Sequence, residues 1–116
     1  MDGIPDYVMV SVIVPAAGHS SRMGGTVNKQ FMKIGNLPVL IHTLSVFQGI
    51  DKVTEILVVC RDREVAECHK LIEQYGLDKV KDVIVGGETR QDSVYNGVCR
   101  VADESEVIVV HDGARP

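Results

Sequence analysis

The segment at residues 8–14 most constrains the fold, because it is a nearly continuous run of β-branched and other apolar residues that ends at Pro15. A half-exposed strand alternates apolar with polar residues, whereas a continuous apolar run is typical of a parallel strand that is covered on both faces. Three similar segments follow at residues 53–59, 83–85 and 107–110. The sequence therefore predicts four strands of a mostly parallel sheet.

Helical patterns lie between the predicted strands. Apolar residues recur at helical spacing within residues 39–47, 65–75 and 94–102. Pro38 suits the start of the first helix and Gly76 the C-terminal cap of the second, whereas Gly97 weakens the prediction of the third. Strands that alternate with helices indicate an α/β fold, with a parallel sheet flanked by helices and ligands bound beyond the carboxyl ends of the strands.

The charge distribution is uneven along the chain. The 116 residues are enough for about one domain, and 45% hydrophobic and 24% charged residues match soluble globular usage. The net charge of −4 argues against a nucleic-acid partner, since backbone phosphates require clustered cations. No carboxylate lies between Asp6 and Asp51, whereas Arg22, Lys29 and Lys33 fall within that window. The pattern favours a local anion site, although chance and a run of apolar elements would also produce it.

The cysteines and the N-terminal sequence indicate a cellular location. Three cysteines, Cys60, Cys68 and Cys99, have spacings that match neither a disulfide framework nor a zinc site, so we expect them to be reduced and mostly in the core. The N-terminal residues include no lysine or arginine, and the apolar runs are far shorter than the roughly 20 residues of a membrane helix. These features predict a cytoplasmic protein with no membrane partner.

The first candidate motif, residues 15–29, follows the first predicted strand. Its small residues allow backbone N–H groups to approach an anion, Ser20 and Ser21 add donors, and Arg22 and Lys29 add positive charge. The spacing matches neither a Walker A loop nor a dinucleotide fingerprint. The motif is suited to wrapping a triphosphate, although a loop of this composition is also typical of a mobile turn.

The second motif, residues 86–93, follows the third predicted strand. Two glycines precede Thr89, which suits the N-cap of a helix, and acidic and hydroxyl residues fill the first turn. These residues are explained by a helix start alone. The functional alternative is that the glycine backbone and the Ser93 hydroxyl bind a flat base at the edge of the sheet.

The third motif, residues 111–116, follows the fourth predicted strand. Asp112 comes directly after that strand and could direct a carboxylate oxygen at Mg²⁺, a cation that proteins hold with one or two carboxylates together with substrate phosphates. The alternative is an Asp that begins a turn before Gly113. Arg115 suits either a phosphate contact or a salt bridge within the loop.

Together these segments resemble the 2-C-methyl-D-erythritol 4-phosphate cytidylyltransferase family. The resemblance runs along essentially the whole chain and rests on the order and spacing of several motifs. These motifs are Val14-Pro-Ala-Ala-Gly18 with Arg22, Met23 and Lys29-Gln30; Ile34-Gly35 with Pro38-Val-Leu40 and His42; Gly86-Gly87 with Arg90 and Asp92-Ser93-Val94; and His111-Asp-Gly-Ala-Arg-Pro116. Ser20 and Ser21 stand where many members carry another Gly or Arg, a mild departure.

The resemblance implies a Rossmann-like nucleotidyltransferase fold that transfers a cytidylyl group from CTP to a sugar-alcohol phosphate and releases pyrophosphate. By position in the motifs, Arg22 and Lys29 are the catalytic residues, which stabilise the triphosphate and the pentacoordinate phosphorus, and Asp112 binds the Mg²⁺ cofactor. The implied nucleotide-binding residues are Pro15, Ala16, Ala17, Gly18, Gly87, Glu88, Arg90, Ser93, Asp112, Gly113 and Arg115. Among these, Gly87, Glu88 and Ser93 are expected near the cytosine and Gly113 near the ribose.

The resemblance also implies that part of the site is absent. Family members are roughly twice this length, the upper range of a single α/β domain, and their later half supplies acceptor-binding residues, a second metal-site Asp and a homodimer arm. We therefore expect residues 1–116 to be the N-terminal nucleotide-binding part of a single cytidylyltransferase domain, truncated after the fourth strand and inactive alone. The alternatives are a ribitol-5-phosphate cytidylyltransferase, a non-catalytic nucleotide-binding module and a structural α/β domain.

Overall fold

A computed structural model describes residues 8–16 and 29–112, with only the backbone of Lys29 included. The strands in these ranges are β1 (Val10–Pro15), β2 (Lys33–Ile34), β3 (Leu37–Pro38), β4 (Val53–Cys60), β5 (Val80–Val85) and β6 (Val107–Val110). The α-helices are α1 (Val39–Gln48), α2 (Val65–Gln74) and α3 (Arg90–Val98), and short 3-10 turns lie at Lys29–Phe31 and Asp62–Glu64. No helix in the described ranges has both the length and the apolar character needed to cross a membrane.

The four long strands form a parallel sheet in the order β5-β4-β1-β6. The chain runs outward from β1 to β4 and β5, and then returns across the sheet to place β6 on the other side of β1. This arrangement confirms the predicted parallel sheet. It also creates a point between β1 and β6 where the strand order reverses, and ligands of open α/β sheets bind at such points.

The central strand β1 is buried along its whole length, as its continuous apolar sequence predicts. Val12 and Val14 pack in the larger core cluster with side chains of α1 and α2, whereas Ile13 faces the opposite side and packs with Leu57 and Val59. Fully burying an aliphatic side chain stabilises the fold by roughly 1.5–3 kcal/mol. The carboxyl end of β1 is therefore a fixed platform for the loop that follows.

Helix α3 packs on the sheet through its small residues, so the predicted apolar stripe at residues 94–102 is confirmed only in part: Val101 packs against the second core cluster, but it lies beyond the end of the helix. The buried residues of α3 are Ser93 and Gly97, whereas Tyr95 and Val98 are 68% and 42% exposed. An added Cβ at Gly97 would lie 2.8 Å from Ile13 Cγ2. The helix approaches the sheet closely because these positions have almost no side chain, and it ends before residues 101–102.

A small hairpin, β2 and β3, precedes α1 and was not predicted. Lys33 and Ile34 pair with Pro38 and Leu37 around a two-residue turn, in which Gly35 has φ +67°. A left-handed φ of this kind favours glycine. The Nε2 atom of His42 lies 3.0 Å from the Ile34 carbonyl oxygen, so this boundary histidine has a structural contact.

Two of the three cysteines lie in the core, as predicted, and Cys99 is exposed. All three are free thiols. A hydrogen bond from Cys68 lowers the pKa of the Cys60 thiol, although burial acts in the opposite direction. The same hydrogen bond and burial raise the pKa of Cys68 far above its ordinary value, so Cys68 is a neutral thiol at physiological pH.

A buried carboxylate, Glu55, ties the connection after α3 to the sheet. Glu55 Oε2 accepts hydrogen bonds from the Ser11 hydroxyl at 2.5 Å and from the Ala102 backbone N–H at 3.0 Å. The Ser105 and Ser11 hydroxyl oxygens are 2.7 Å apart. Buried charges require such partners, so this network fixes the path by which the chain returns to β6.

Candidate functional site

The three candidate motifs begin at the same edge of the sheet, where backbone hydrogen bonds continue one residue beyond the strands. The Ala16 N–H donates to the Val59 carbonyl at 2.6 Å, the Gly86 N–H to the Cys60 carbonyl at 2.8 Å, and the His111 N–H to the Ile13 carbonyl at 3.0 Å. The carboxyl ends of parallel strands meet at one edge, and these bonds fix where each motif leaves it. The structure thus brings the starts of all three motifs together.

The first and third motifs leave adjacent strands. Pro15 ends β1 and Asp112 follows β6, and these strands flank the point where the strand order reverses. Pro15 and Ala16 are buried, so they form the base of the site rather than its exposed wall. Several predicted site residues lie outside the described part of the chain: Ala17, Gly18, Arg22, Gly113, Arg115 and the side chain of Lys29.

The second motif starts α3 with close packing against its two glycines. Thr89 is the N-cap, as predicted, because its Oγ1 accepts a hydrogen bond from the Asp92 N–H at 3.0 Å. A Cβ at Gly86 would lie 2.5 Å from Ser93 Oγ, and a Cβ at Gly87 would clash with Asp92 Cβ. Glycine is therefore required at both positions so that the first turn of α3 can pack against this backbone.

Replacing Gly87 with alanine is expected to destabilise the protein by about 1–3 kcal/mol. The new methyl group would clash with Asp92 Cβ, and that atom cannot rotate away because it is fixed to the helix backbone. The midpoint of urea denaturation measures the change. Gly49→Ala is the matched control, since its Cβ would make only ordinary contacts of 3.6 Å; equal midpoints for the two variants would contradict the packing argument.

The remaining polar residues of this motif differ in exposure. Ser93 is fully buried beneath Gly86, whereas Glu88 is exposed. Ser93 is thus positioned to support the Gly86 backbone from below, and Glu88 is open to a ligand. Contact of either side chain with a cytosine stays a prediction.

An ion pair between Arg90 and Asp112 joins the second motif to the third. The Arg90 Nε donates to Asp112 Oδ1 at 2.9 Å, and Nη2 of the same guanidinium lies 2.9 Å from that oxygen. The Arg90 and Asp112 side chains are 53% and 31% exposed. The contact spans the edge from the first turn of α3 to the end of β6, so residues 22 positions apart in sequence share one site.

The described residues fit a divalent cation only if a substrate supplies further ligands. They include no group of three or more His, Cys, Asp or Glu side chains that could hold a metal alone. Asp112 offers one partly exposed carboxylate at the ligand-binding edge. Mg²⁺ is commonly bound through one or two carboxylates plus substrate phosphates, and a lone carboxylate here is suited to that mode.

Two features of the site were not predicted from the sequence. The sequence gives no sign that Arg90 is the partner of Asp112, because the pairing depends on where α3 crosses the sheet. The His111 ring packs edge-on against Phe47 of α1, with centroids 5.2 Å apart. An aromatic residue next to Asp112 was a usable signal that the strand end is held by packing.

A second concave region lies away from this edge. An open groove of about 420 Å³ lies between β5 and α3 and is lined by Val83, Ile84, Val85, Asn96, Cys99 and Arg100. Its polar groups are already engaged: the Asn96 amide donates to the Val85 carbonyl, and Arg100 pairs with Asp82. None of the residues that line the groove belongs to the three candidate motifs.

The sheet order, the reversal beside β1 and the start of all three motifs at one edge define a Rossmann-like α/β protein. The profile of the 2-C-methyl-D-erythritol 4-phosphate cytidylyltransferase family matches residues 10–116. The chain belongs to this family.

Named relatives agree with this assignment. The 2-C-methyl-D-erythritol 4-phosphate cytidylyltransferase of Clostridium botulinum strain Langeland is 42% identical over 106 residues, which cover 91% of this chain and 46% of the relative. The enzyme of the same name from Alkaliphilus metalliredigens is 45% identical over 108 residues, or 92% of this chain and 45% of the relative. The chain thus spans about half the length of the curated relatives it matches.

A solved structure shares the fold. The 4-diphosphocytidyl-2C-methyl-D-erythritol synthase of Anaerococcus prevotii superposes with a TM-score of 0.77 at 27% identity. The superposition covers 94% of this chain and 44% of that structure. The shared region is therefore nearly all of this chain and less than half of the solved protein.

Proposed function

We propose that this chain provides the CTP-binding side of an enzyme that transfers a cytidylyl group from CTP to 2-C-methyl-D-erythritol 4-phosphate. The observation that carries the proposal is the Arg90–Asp112 contact, which joins two motifs beside the reversal of strand order, where the loop with Arg22 and Lys29 also begins. Family membership supports CTP as the nucleotide and 2-C-methyl-D-erythritol 4-phosphate as the acceptor. The product is 4-diphosphocytidyl-2-C-methyl-D-erythritol.

The chemistry requires positioning rather than a covalent nucleophile. An oxygen of the acceptor phosphate attacks the α-phosphorus of CTP, a new P–O bond forms, and the bond to the departing pyrophosphate breaks. The chain has to hold two anions together and neutralise the charge that builds up on the non-bridging oxygens. Arg22 and Lys29 are proposed for the triphosphate and the pentacoordinate phosphorus, and the residues at 86–93 for the base.

Asp112 is the proposed protein ligand of Mg²⁺. The cation would neutralise part of the phosphate charge when it is bound together with CTP. The cytoplasmic location, the homodimer and the absence of a nucleic-acid partner belong to the same proposal. So does the assignment of residues 1–116 to the N-terminal part of a longer domain, which is supported by the extent of the match to relatives and by the exposed Ile108 and Val110 on β6.

The test is release of pyrophosphate by the complete gene product with Mg²⁺ and CTP. We expect release to depend on 2-C-methyl-D-erythritol 4-phosphate and to be much slower with ribitol 5-phosphate. The 116-residue chain alone is expected to release none, since its relatives are about twice as long. Faster release with ribitol 5-phosphate would mean that ribitol 5-phosphate is the acceptor instead. If calorimetry shows CTP binding but no transfer occurs, the protein is a non-catalytic nucleotide-binding module. If CTP does not bind at all, it is a structural α/β domain.

A further inference from the structure

The Arg90–Asp112 ion pair has properties of an exchangeable contact. Both side chains reach solvent, at 53% and 31% exposure, and the guanidinium approaches one carboxylate oxygen through two of its nitrogen atoms. Ion pairs of this exposure form with association constants of only about 1–5. Arg90 therefore balances the charge of Asp112, but the ion pair is weak enough to open.

The position of Arg90 in α3 also affects how strongly it holds Asp112. It is the first residue of α3, where the partial positive charge of the helix N-terminus disfavours a cation. Asp112 offsets that repulsion while the pair is closed. A dication bound to Asp112 would displace the guanidinium and remove this offset.

We infer that Arg90 is a removable counter-ion of Asp112, which occupies the carboxylate until a divalent cation arrives with the nucleotide. Arg90 and the cation then compete for Asp112 Oδ1. The inference rests on the proposed function, because it takes Asp112 as the metal ligand. In this reading Arg90 is a positioning residue: it keeps the carboxylate at the edge of the sheet and is displaced as the nucleotide complex forms.

Competition makes a quantitative prediction about the metal gain, defined as the CTP dissociation constant without divalent cation divided by that with Mn²⁺. In Arg90→Gln the Asp112 carboxylate no longer pairs with the guanidinium of Arg90, so the metal gain should rise up to about two- to sixfold above that of the wild type. Any direct contact between Arg90 and CTP that is present with and without the cation cancels in the ratio. Isothermal titration calorimetry of the complete gene product, in EDTA and in Mn²⁺, gives both constants.

Arg100→Gln is the matched control. Arg100 lies 2.6 Å from Asp82, and the side chains are 58% and 34% exposed, so the variant breaks a surface pair of the same kind away from the site. Its metal gain should equal that of the wild type. The difference in metal gain between Arg90→Gln and the wild type should also become smaller in about 1 M KCl, because the Debye length there is about 3 Å and exposed ion pairs are screened.

Asp112→Asn separates this inference from the proposed function. If the wild type shows no metal gain, or Asp112→Asn retains all of it, the role of Asp112 as the metal ligand is overturned together with the inference. If Asp112→Asn loses the gain while Arg90→Gln shows a gain equal to or below that of the wild type, only the counter-ion role of Arg90 is overturned. If the metal gain of Arg90→Gln stays equally far above that of the wild type in about 1 M KCl, the counter-ion role of Arg90 is likewise overturned.

Discussion

Replacing Lys29 with alanine in the complete gene product is expected to lower the turnover number on the order of 10²-fold or more, with a much smaller change in CTP affinity. Lys29 is the last residue of the proposed triphosphate loop, and its positive charge is proposed to stabilise the negative charge that develops as the α-phosphorus becomes pentacoordinate. An interaction that strengthens in the transition state affects turnover more than ground-state binding. Arg22→Ala is expected to behave in the same way.

The measurement pairs steady-state pyrophosphate release at saturating CTP with calorimetric CTP affinity. Lys33→Ala is the control, since it removes the same charge from an exposed position in β2, four residues further along the chain. Its turnover should stay near that of the wild type. Near-normal turnover of Lys29→Ala would contradict the assignment, and an equal loss in both lysine variants would indicate a general effect of charge on the fold or on CTP attraction.

Features that depend on local sequence were predicted well. The strand at β1 was recognisable because its residues are apolar throughout and Pro15 ends the run. The caps of α3 and α2 were also predicted, since Thr89 bonds the Asp92 N–H and Gly76 adopts φ +64°. Each of these follows from a preference that acts over a few residues, so the sequence carries the information directly.

The hairpin at residues 33–38 was missed although it had a local signal. Gly35 and Asn36 form the two-residue turn, a combination that favours a hairpin. Each strand is only two residues long, and Pro38, which ends β3, was interpreted only as the start of a helix, a role that it also has as the N-cap of α1. Strands this short produce no periodic pattern, so the turn residues were the evidence to follow.

The buried face of α3 could not be read from hydrophobicity. The apolar pattern pointed to residues 94–102, but the helix packs through Ser93 and Gly97. Close approach to the sheet selects small residues rather than apolar ones, and it leaves Val98 partly exposed. The Arg90–Asp112 contact depends on this placement of the helix, which is why the motifs were predicted separately but their pairing was not.

The close packing of α3 against β1 therefore predicts that substitutions at Ile13 and Gly97 have strongly coupled effects on the free energy of unfolding. Ile13→Ala is expected to lower the free energy of unfolding by about 2–5 kcal/mol, because it empties a fully buried position of β1. Gly97→Ala alone should cost about 1–3 kcal/mol. The gain of up to about 1 kcal/mol in helix propensity does not offset a Cβ placed 2.8 Å from Ile13 Cγ2.

In the double variant the two costs should not add. Ile13→Ala removes the Cγ2 atom that the new Cβ would meet, and the nearest remaining contact is Val59 Cγ2 at 3.3 Å. The added methyl then fills part of the cavity, so the double variant should be more stable than the sum of the single changes implies by about 1–3 kcal/mol. Urea denaturation of the four proteins measures this coupling, with Gly49→Ala in both backgrounds as an additive control. Additivity between Ile13 and Gly97 would mean that α3 does not rest on β1 at this point, and the contact that places Arg90 beside Asp112 would then need another support.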